Sequence, residues 1–172
     1  MKIEIMPETE DDYEQIARLH TVAFNGGNEA ELVEKLRKTP LYVSDLSLVA
    51  KYKNKIIGHV LFYPIKIDSG KRKCDSLGLA PISVLPDFQR RGVGSRLIKK
   101  GLEEASRLGF KSVIVLGHAE YYPRFGFETA NKFGISAPFN VPSNVFFAME
   151  LVKNGLKNCG GTVEYPEEFK DV

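Results

Sequence analysis

With 172 residues, 43% hydrophobic and 27% charged, the chain can bury one sizeable core and has the balance of a soluble globular protein. A net charge of +2 is too small to hold nucleic acid or an anionic membrane surface, so neither is expected as a partner. No apolar run approaches bilayer-spanning length, and residues 1–7 lack a signal-peptide core, so a cytoplasmic protein is expected.

Residues 2–6 alternate polar and apolar as a half-buried strand does, and Pro7 stops them. Thr9 can cap the next helix, with Glu10, Asp11 and Asp12 set favourably against its N-terminal dipole. Tyr13, Ile16, Ala17, His20 and Phe24 repeat at helical spacing until Asn25-Gly26-Gly27 breaks the pattern. A second helix opens at Asn28, has Glu31 as a capping-box partner, buries Leu32, Val33 and Leu36, and ends before Pro40. Residues 46–53 and 55–67 read as strands around Asn54, which tolerates a positive φ in a tight turn. Residues 56–62 are almost continuously apolar, as suits a central strand covered on both faces. Residues 72–84 form the next strand. Pro81 within it cannot donate to a ladder and is expected at a bulge or an unpaired edge. Cys74 lies in this strand and Cys159 far downstream. They make no framework and no metal-ligand cluster, so reduced thiols are expected and no metal is implied.

Beyond Val84 the chain enters a turn holding Gln89, Arg90, Arg91, Gly92, Val93, Gly94 and Ser95, and then a helix. Val93, Leu97, Leu102, Ala105 and Leu108 fall near one face of that helix. A strand feeding a glycine turn at a helix N-terminus is a ready anion site. The first turn has unpaired N–H groups and partial positive charge, and glycines let a phosphate approach the backbone. A dinucleotide fingerprint would need a third glycine where Leu97 stands. A P-loop would need Ser or Thr after the only Gly-Lys, which is followed by Arg72. Gly109 stops the helix. Residues 111–116 read as a parallel strand, because the intervening helix is a crossover. Residues 118–122 read as a short helix or turn interrupted at Pro123, residues 127–133 as a strand, 137–142 as a loop and 145–152 as the last strand. The chain reads as one domain over residues 1–172, with a core at 1–152 and an extension at 153–172. Its class is α/β with mixed strand directions.

Gln89-x-x-Gly92-x-Gly94, with Val84-x-Pro86 before it, resembles the acyl-CoA pyrophosphate loop of the GNAT superfamily of N-acetyltransferases. Tyr121-Tyr122-Pro123-Arg124-Phe125-Gly126-Phe127 resembles that family's later motif. Both occur in the family's order and spacing with a strand between them. The chain is similar to a bacterial subgroup of predicted acetyltransferases with Tyr-Tyr-x-Arg-Phe-Gly-Phe, over roughly residues 1–152.

The resemblance implies a mixed, mostly antiparallel sheet flanked by helices, with a splayed central parallel strand pair. It implies acetyl-CoA as cofactor, its diphosphate held by the amides of Gln89 through Ser95. It also implies that Ile82, Ser83 and Val84 pair their backbone with the pantetheine arm, with an N–H aimed at the thioester oxygen. Tyr122 matches the general acid, with Tyr121 as fallback. Residues 77–84 carry no carboxylate to serve as base. Asp75, Glu29, Glu31, His118, a water relay and an amine of low pKa all stay open. The implied reaction is direct attack by an amine, on a small molecule or a peptide, in a ternary complex without an acyl-enzyme. A non-catalytic acyl-CoA sensor and a protein acetyltransferase are the rival readings, and a homodimer is compatible with all of them.

Overall fold

The computed structural model describes residues 1–171. In chain order they form β1 (Glu4–Pro7), α1 (Tyr13–Ala23), α2 (Glu29–Arg37), β2 (Ser47–Tyr52), β3 (Lys55–Asp68), β4 (Lys73–Val84), α3 (Val93–Arg107), β5 (Ser112–Leu116), β6 (Glu128–Thr129), β7 (Ile135–Ser136), β8 (Phe146–Glu150) and β9 (Gly161–Glu164), joined by short 3-10 turns and loops. The nine strands share one sheet, ordered β1-β2-β3-β4-β5-β8-β6, with β9 on β3 and β7 on β9. The pairs β1–β2, β2–β3, β3–β9, β5–β8 and β6–β8 are antiparallel, and β4–β5 and β7–β9 are parallel. The expected central parallel pair is β4–β5, and its ladder is short: Leu77 faces Val113 and Gly78 faces Ile114. Among the described residues no helix is long and apolar enough to cross a membrane.

Two compact units divide the chain. The first comprises Met1–Tyr63, Ala80–Glu104 and residues 167–171. Its strands β1, β2 and the start of β3 form an antiparallel meander. Lys53 (φ 50°) and Asn54 (φ 62°) both take the left-handed conformation at the β2–β3 hairpin, as a twist-matched two-residue turn demands. Helix α1 buries Ile16 and Leu19 against Val49 and Ile56, and α2 buries Leu32, Val33 and Leu36 against Leu61 and Tyr63. Helix α3 lies so close to β3 that a Cβ at Gly101 would stand 2.1 Å from the Phe62 ring.

The second unit comprises Pro64–Leu79 and Ala105–Pro166. Strand β5 pairs with β8 along its whole length, from Ser112 opposite Glu150 to Leu116 opposite Phe146. Ile65, Ile67, Ile114, Phe146, Ala148, Leu156 and Val163 are among its core residues.

Several expectations are corrected. Residues 127–133 contain only the two-residue strand β6. A 3-10 turn, Ala130–Phe133, follows and is closed by Gly134 at φ 70°. Pro123 does not interrupt a turn but sits inside one, Tyr122–Phe125, where its missing N–H costs nothing. Strand β8 is not the last strand, because the tail contributes β9, paired with Lys66, Ile67 and Asp68 of β3. Pro81 lies inside β4 after a cis peptide bond. Leu108 falls beyond α3 and is exposed, while Ile98 is buried.

The cysteines are also corrected: Cys74 and Cys159 are joined in a disulfide, with Cα atoms 5.7 Å apart. Strand β9 brings the residues just before it back beside the start of β4, a closure that an 85-residue separation hides. Cross-linking so long a loop restricts the unfolded chain by about 4–5 kcal/mol in the chain-entropy treatment. Cys74→Ser is therefore expected to lower the melting temperature, and reductant should lower that of the parent but not of the variant. Intact mass before and after reduction reports the bond itself; an unchanged mass would show that the thiols are free.

Candidate active site

In the first unit, β4 ends at Val84 and the chain turns through a 3-10 segment, Pro86–Phe88, into α3. The strand's exit is tied to β3 by the Leu85 N–H donating to the Ile57 carbonyl at 2.8 Å. Gln89 Nε2 reaches back to donate to the Val84 carbonyl at 3.1 Å. Two residues of the turn are left-handed, Arg90 at φ 62° and Gly92 at φ 81°. This conformation is cheap for Gly92 and costly for Arg90, a strain typical of binding loops. Arg96 N–H donates to the Gly92 carbonyl at 3.1 Å. The N–H groups of Val93, Gly94 and Ser95 therefore lie ahead of the helical ladder. The Val93 side chain is buried, within reach of the backbone of Gly58. Arg90, Arg91 and Gly92 are exposed, with Arg91 Cζ 5.8 Å from the Phe88 ring centre. The structure thus gathers Ile82, Ser83, Val84 and Gln89 through Ser95 into one strand–turn–helix.

In the second unit, the chain leaves β5 through Gly117 and His118. The His118 carbonyl accepts the Tyr121 N–H at 3.1 Å, and the His118 side chain is exposed. Tyr122 is only 6% exposed. Its ring packs edge-on against Tyr121 and Phe127 and tilts against Phe147. Gly117 is required there, since a Cβ would stand 2.2 Å from the Tyr122 ring. Burial, and then the neighbouring Tyr121, push the Tyr122 hydroxyl up to about 12, so it stays protonated. Of the carboxylates considered as base, Asp75 is a 75%-exposed side chain paired with Lys66, and Glu31 pairs with Lys35 at 2.9 Å.

The first unit also contains a buried polar line that sequence reasoning missed. Glu8, just after β1, has a side chain 1% exposed. Its Oε2 accepts Arg37 Nε at 2.8 Å; Arg37 Nη2 is 2.7 Å away but off the hydrogen-bond direction. Its Oε1 accepts the hydroxyls of Tyr42, at 3.0 Å, and of Ser47. Ser47 Oγ is 2.8 Å from His59 Nε2, His59 Nδ1 is 2.8 Å from His20 Nε2, and His20 Nδ1 is 2.6 Å from Ser83 Oγ. Burial holds both imidazoles below their usual range, His20 down to about 2. Burial would raise Glu8, but His59, its Nε2 3.7 Å away, and hydrogen bonds from Ser47 and Arg37 outweigh it and bring the carboxyl down to about 2. A charged His59 would help lower Glu8, yet burial keeps His59 neutral. Arg37, permanently charged, and Ser47 sustain the carboxylate.

An ionised Glu8 sets the direction of every bond in the line. A carboxylate only accepts, so Ser47 donates to it and accepts from His59 Nε2–H. A neutral His59 then accepts at Nδ1 from His20 Nε2–H, and His20 accepts at Nδ1 from the Ser83 hydroxyl. The signal in the sequence was faint: a histidine inside the apolar run 56–62 and another on the apolar stripe of α1.

The comparisons with known proteins agree with this architecture. A family model for the acetyltransferase (GNAT) domain matches residues 4–130. The chain is 40% identical over 136 residues to the uncharacterized N-acetyltransferase YjhQ of Escherichia coli K12, covering 76% of this chain and 73% of that protein. It is 30% identical over 148 residues to the uncharacterized N-acetyltransferase YhbS of the same strain, covering 86% of each. The crystal structure of Escherichia coli YhbS in complex with CoA superposes with a TM-score of 0.90 at 29% identity, covering 98% of this chain and 92% of that one. A GNAT family acetyltransferase from Brucella melitensis in complex with acetyl-CoA superposes with a TM-score of 0.80 at 29% identity, covering 98% and 99%. The chain belongs to the GNAT family of N-acetyltransferases.

Proposed function

We propose that the chain transfers an acetyl group from acetyl-CoA to an amine by direct attack in a ternary complex. The observation that carries this reading is the strand–turn–helix of residues 82–95. Its N–H groups at Val93, Gly94 and Ser95 stand ahead of the helical ladder, with two exposed arginines two and three residues before Val93. Space over Gly92 is open, with nothing within 4 Å of where its Cβ would be. That donor set fits the anionic oxygens of a diphosphate. The CoA and acetyl-CoA complexes of the two similar structures support the same cofactor.

In this reading Gln89 through Ser95 hold the diphosphate, and the backbone of Ile82, Ser83 and Val84 pairs with the pantetheine arm. The amine nitrogen adds to the thioester carbon and the carbon–sulfur bond breaks. The proton lost from nitrogen goes to His118 or to solvent. The Tyr122 hydroxyl passes its proton to the departing sulfur as the general acid and is reprotonated from solvent, which balances the proton lost by nitrogen.

Calorimetry with CoA tests the binding half. The parent is expected to bind. Gly92→Glu puts a Cβ on a left-handed residue and a carboxylate before the phosphates, and should weaken binding by roughly a hundredfold or more. Open space at the position lets the variant keep its packing. Thiol release from acetyl-CoA across a panel of polyamines, amino acids, aminoglycosides and peptides tests the transfer half. CoA binding without turnover of any of them would support a sensor instead.

A further inference from the structure

We propose that the buried line Glu8–Ser47–His59–His20–Ser83 positions the end of β4 for the pantetheine arm, with His20 and His59 as positioning residues. The inference rests on the cofactor site proposed above and deepens it.

Interior polar groups are costly unless each is partnered, and a fully satisfied buried network fixes one geometry. Here every interior member is bonded on both sides, and the line runs from a carboxylate locked by Arg37 to a single hydroxyl on β4. The members come from four separate places: the end of β1, α1, and strands β2 and β3. Their common endpoint is Ser83, itself 6% exposed, which sits between Ile82 and Val84. The same stretch is fastened twice more, by Leu85 N–H to the Ile57 carbonyl and by Gln89 Nε2 to the Val84 carbonyl. A Cβ at Gly58, the neighbour of His59, would stand 3.4 Å from the Ser83 carbonyl, so β3 backs Ser83 closely. Such fastening suits a strand whose backbone groups must stand ready for a flexible ligand, because order built into the protein is order the ligand need not impose.

The direction of the bonds matters to the result. Glu8 pulls each proton inward, so the Ser83 hydroxyl has one orientation rather than three. Ser83→Ala removes the last link. His20→Leu removes the link before it. His20→Asn places an amide oxygen where Nδ1 stood and restores an acceptor for Ser83.

The test compares two ligands by calorimetry on the full chain: CoA, and 3′-phosphoadenosine 5′-diphosphate, which keeps the diphosphate but lacks the arm. Ser83→Ala and His20→Leu are each expected to weaken CoA about tenfold, the value of one buried hydrogen bond, while leaving the arm-less ligand within about twofold. The double variant should be no weaker than either single one, since both cut the same line. His20→Asn should recover most of the CoA affinity. A general loss of structure would weaken both ligands together, and that result, or unchanged CoA affinity in Ser83→Ala, overturns the inference while leaving the cofactor assignment standing. A parent protein that binds neither ligand overturns the proposed function and this inference with it.

Discussion

Acidifying the protein from pH 6.5 to pH 4.5 is expected to remove about 2 kcal/mol of folding stability through His20, with a further loss of the same sign from His59. In the folded chain, burial keeps His20 and His59 neutral, with His20 down at about 2. In the unfolded chain each takes a proton near pH 6.5. The unfolded state therefore binds up to two more protons than the native one below that pH, and stability falls as pH falls. Above about pH 7.5 neither state is protonated, and the effect vanishes. Glu8 adds a second, lower window: its folded carboxyl lies at about 2 against an ordinary 4.5, so the stability it gives is present above 4.5 and is lost between 4.5 and 2. The groups facing the pair are Glu8, Arg37 and Tyr42, and none of them supplies a proton to the imidazoles in this range. A loss of this size is a large fraction of the stability of many domains. Urea unfolding at pH 7.5, 6.5, 5.5 and 4.5 should show stability falling by about one proton's worth per pH unit from His20 well below pH 6, with His59 adding to the slope. Nitrogen-15 spectra of the folded protein should show the His20 imidazole neutral throughout. A flat profile between pH 7.5 and 5 would mean that the imidazoles take up protons in the fold as readily as in the unfolded chain, and two charged imidazoles have no acceptor for the bond between them, so the deduced line would fall.

That line marks where sequence reasoning stops. Local signals were legible. The glycine pair at 92 and 94, the hairpin at Asn54, the stop at Gly109 and the apolar faces of α1, α2 and α3 each follow from neighbouring residues and from helical or strand periodicity. The parallel pairing of β4 and β5 followed from the crossover helix between them. What escaped depends on residues far apart in the chain. His20 meets His59 across 39 positions and Ser83 across 63, and Cys74 meets Cys159 across 85. Nothing local distinguishes His20 from an ordinary residue on a helix stripe until β3 and β4 are laid beside α1. The short strands β7 and β9 escaped, and β6 was drawn too long, for a related reason. Two to four residues are too few for alternation to register, and their pairing is set by partners elsewhere in the sheet.

Replacing Tyr122 with Phe is expected to lower kcat by about 10²–10³-fold, with CoA affinity nearly unchanged. Burial, with Tyr121 beside it, sets the hydroxyl at about 12, well above a typical thiol near 8.5. A phenol so weakly acidic does not give up its proton early. In the proposed role it would donate a hydrogen bond that strengthens as charge builds on sulfur, from a ring packed against Tyr121, Phe127 and Phe147. A donor aimed at developing charge is worth most where water is scarce, which is the reason for the size of the expected loss. Phe keeps the ring and its packing, so the variant should melt near the parent temperature and separate chemistry from folding. Gly117→Ala approaches the same hydroxyl from the other side. It leaves the phenol intact, but its methyl would meet the ring at 2.2 Å, so the ring must move. If direction matters as argued, this variant loses kcat despite keeping every titratable group, whereas Tyr121→Phe loses little. Thiol release measured at saturating acetyl-CoA, beside calorimetry with CoA, reads all three variants. A Tyr122→Phe enzyme within about threefold of the parent would remove Tyr122 from the chemistry and leave it as packing, since one well-placed donor is worth far more than that.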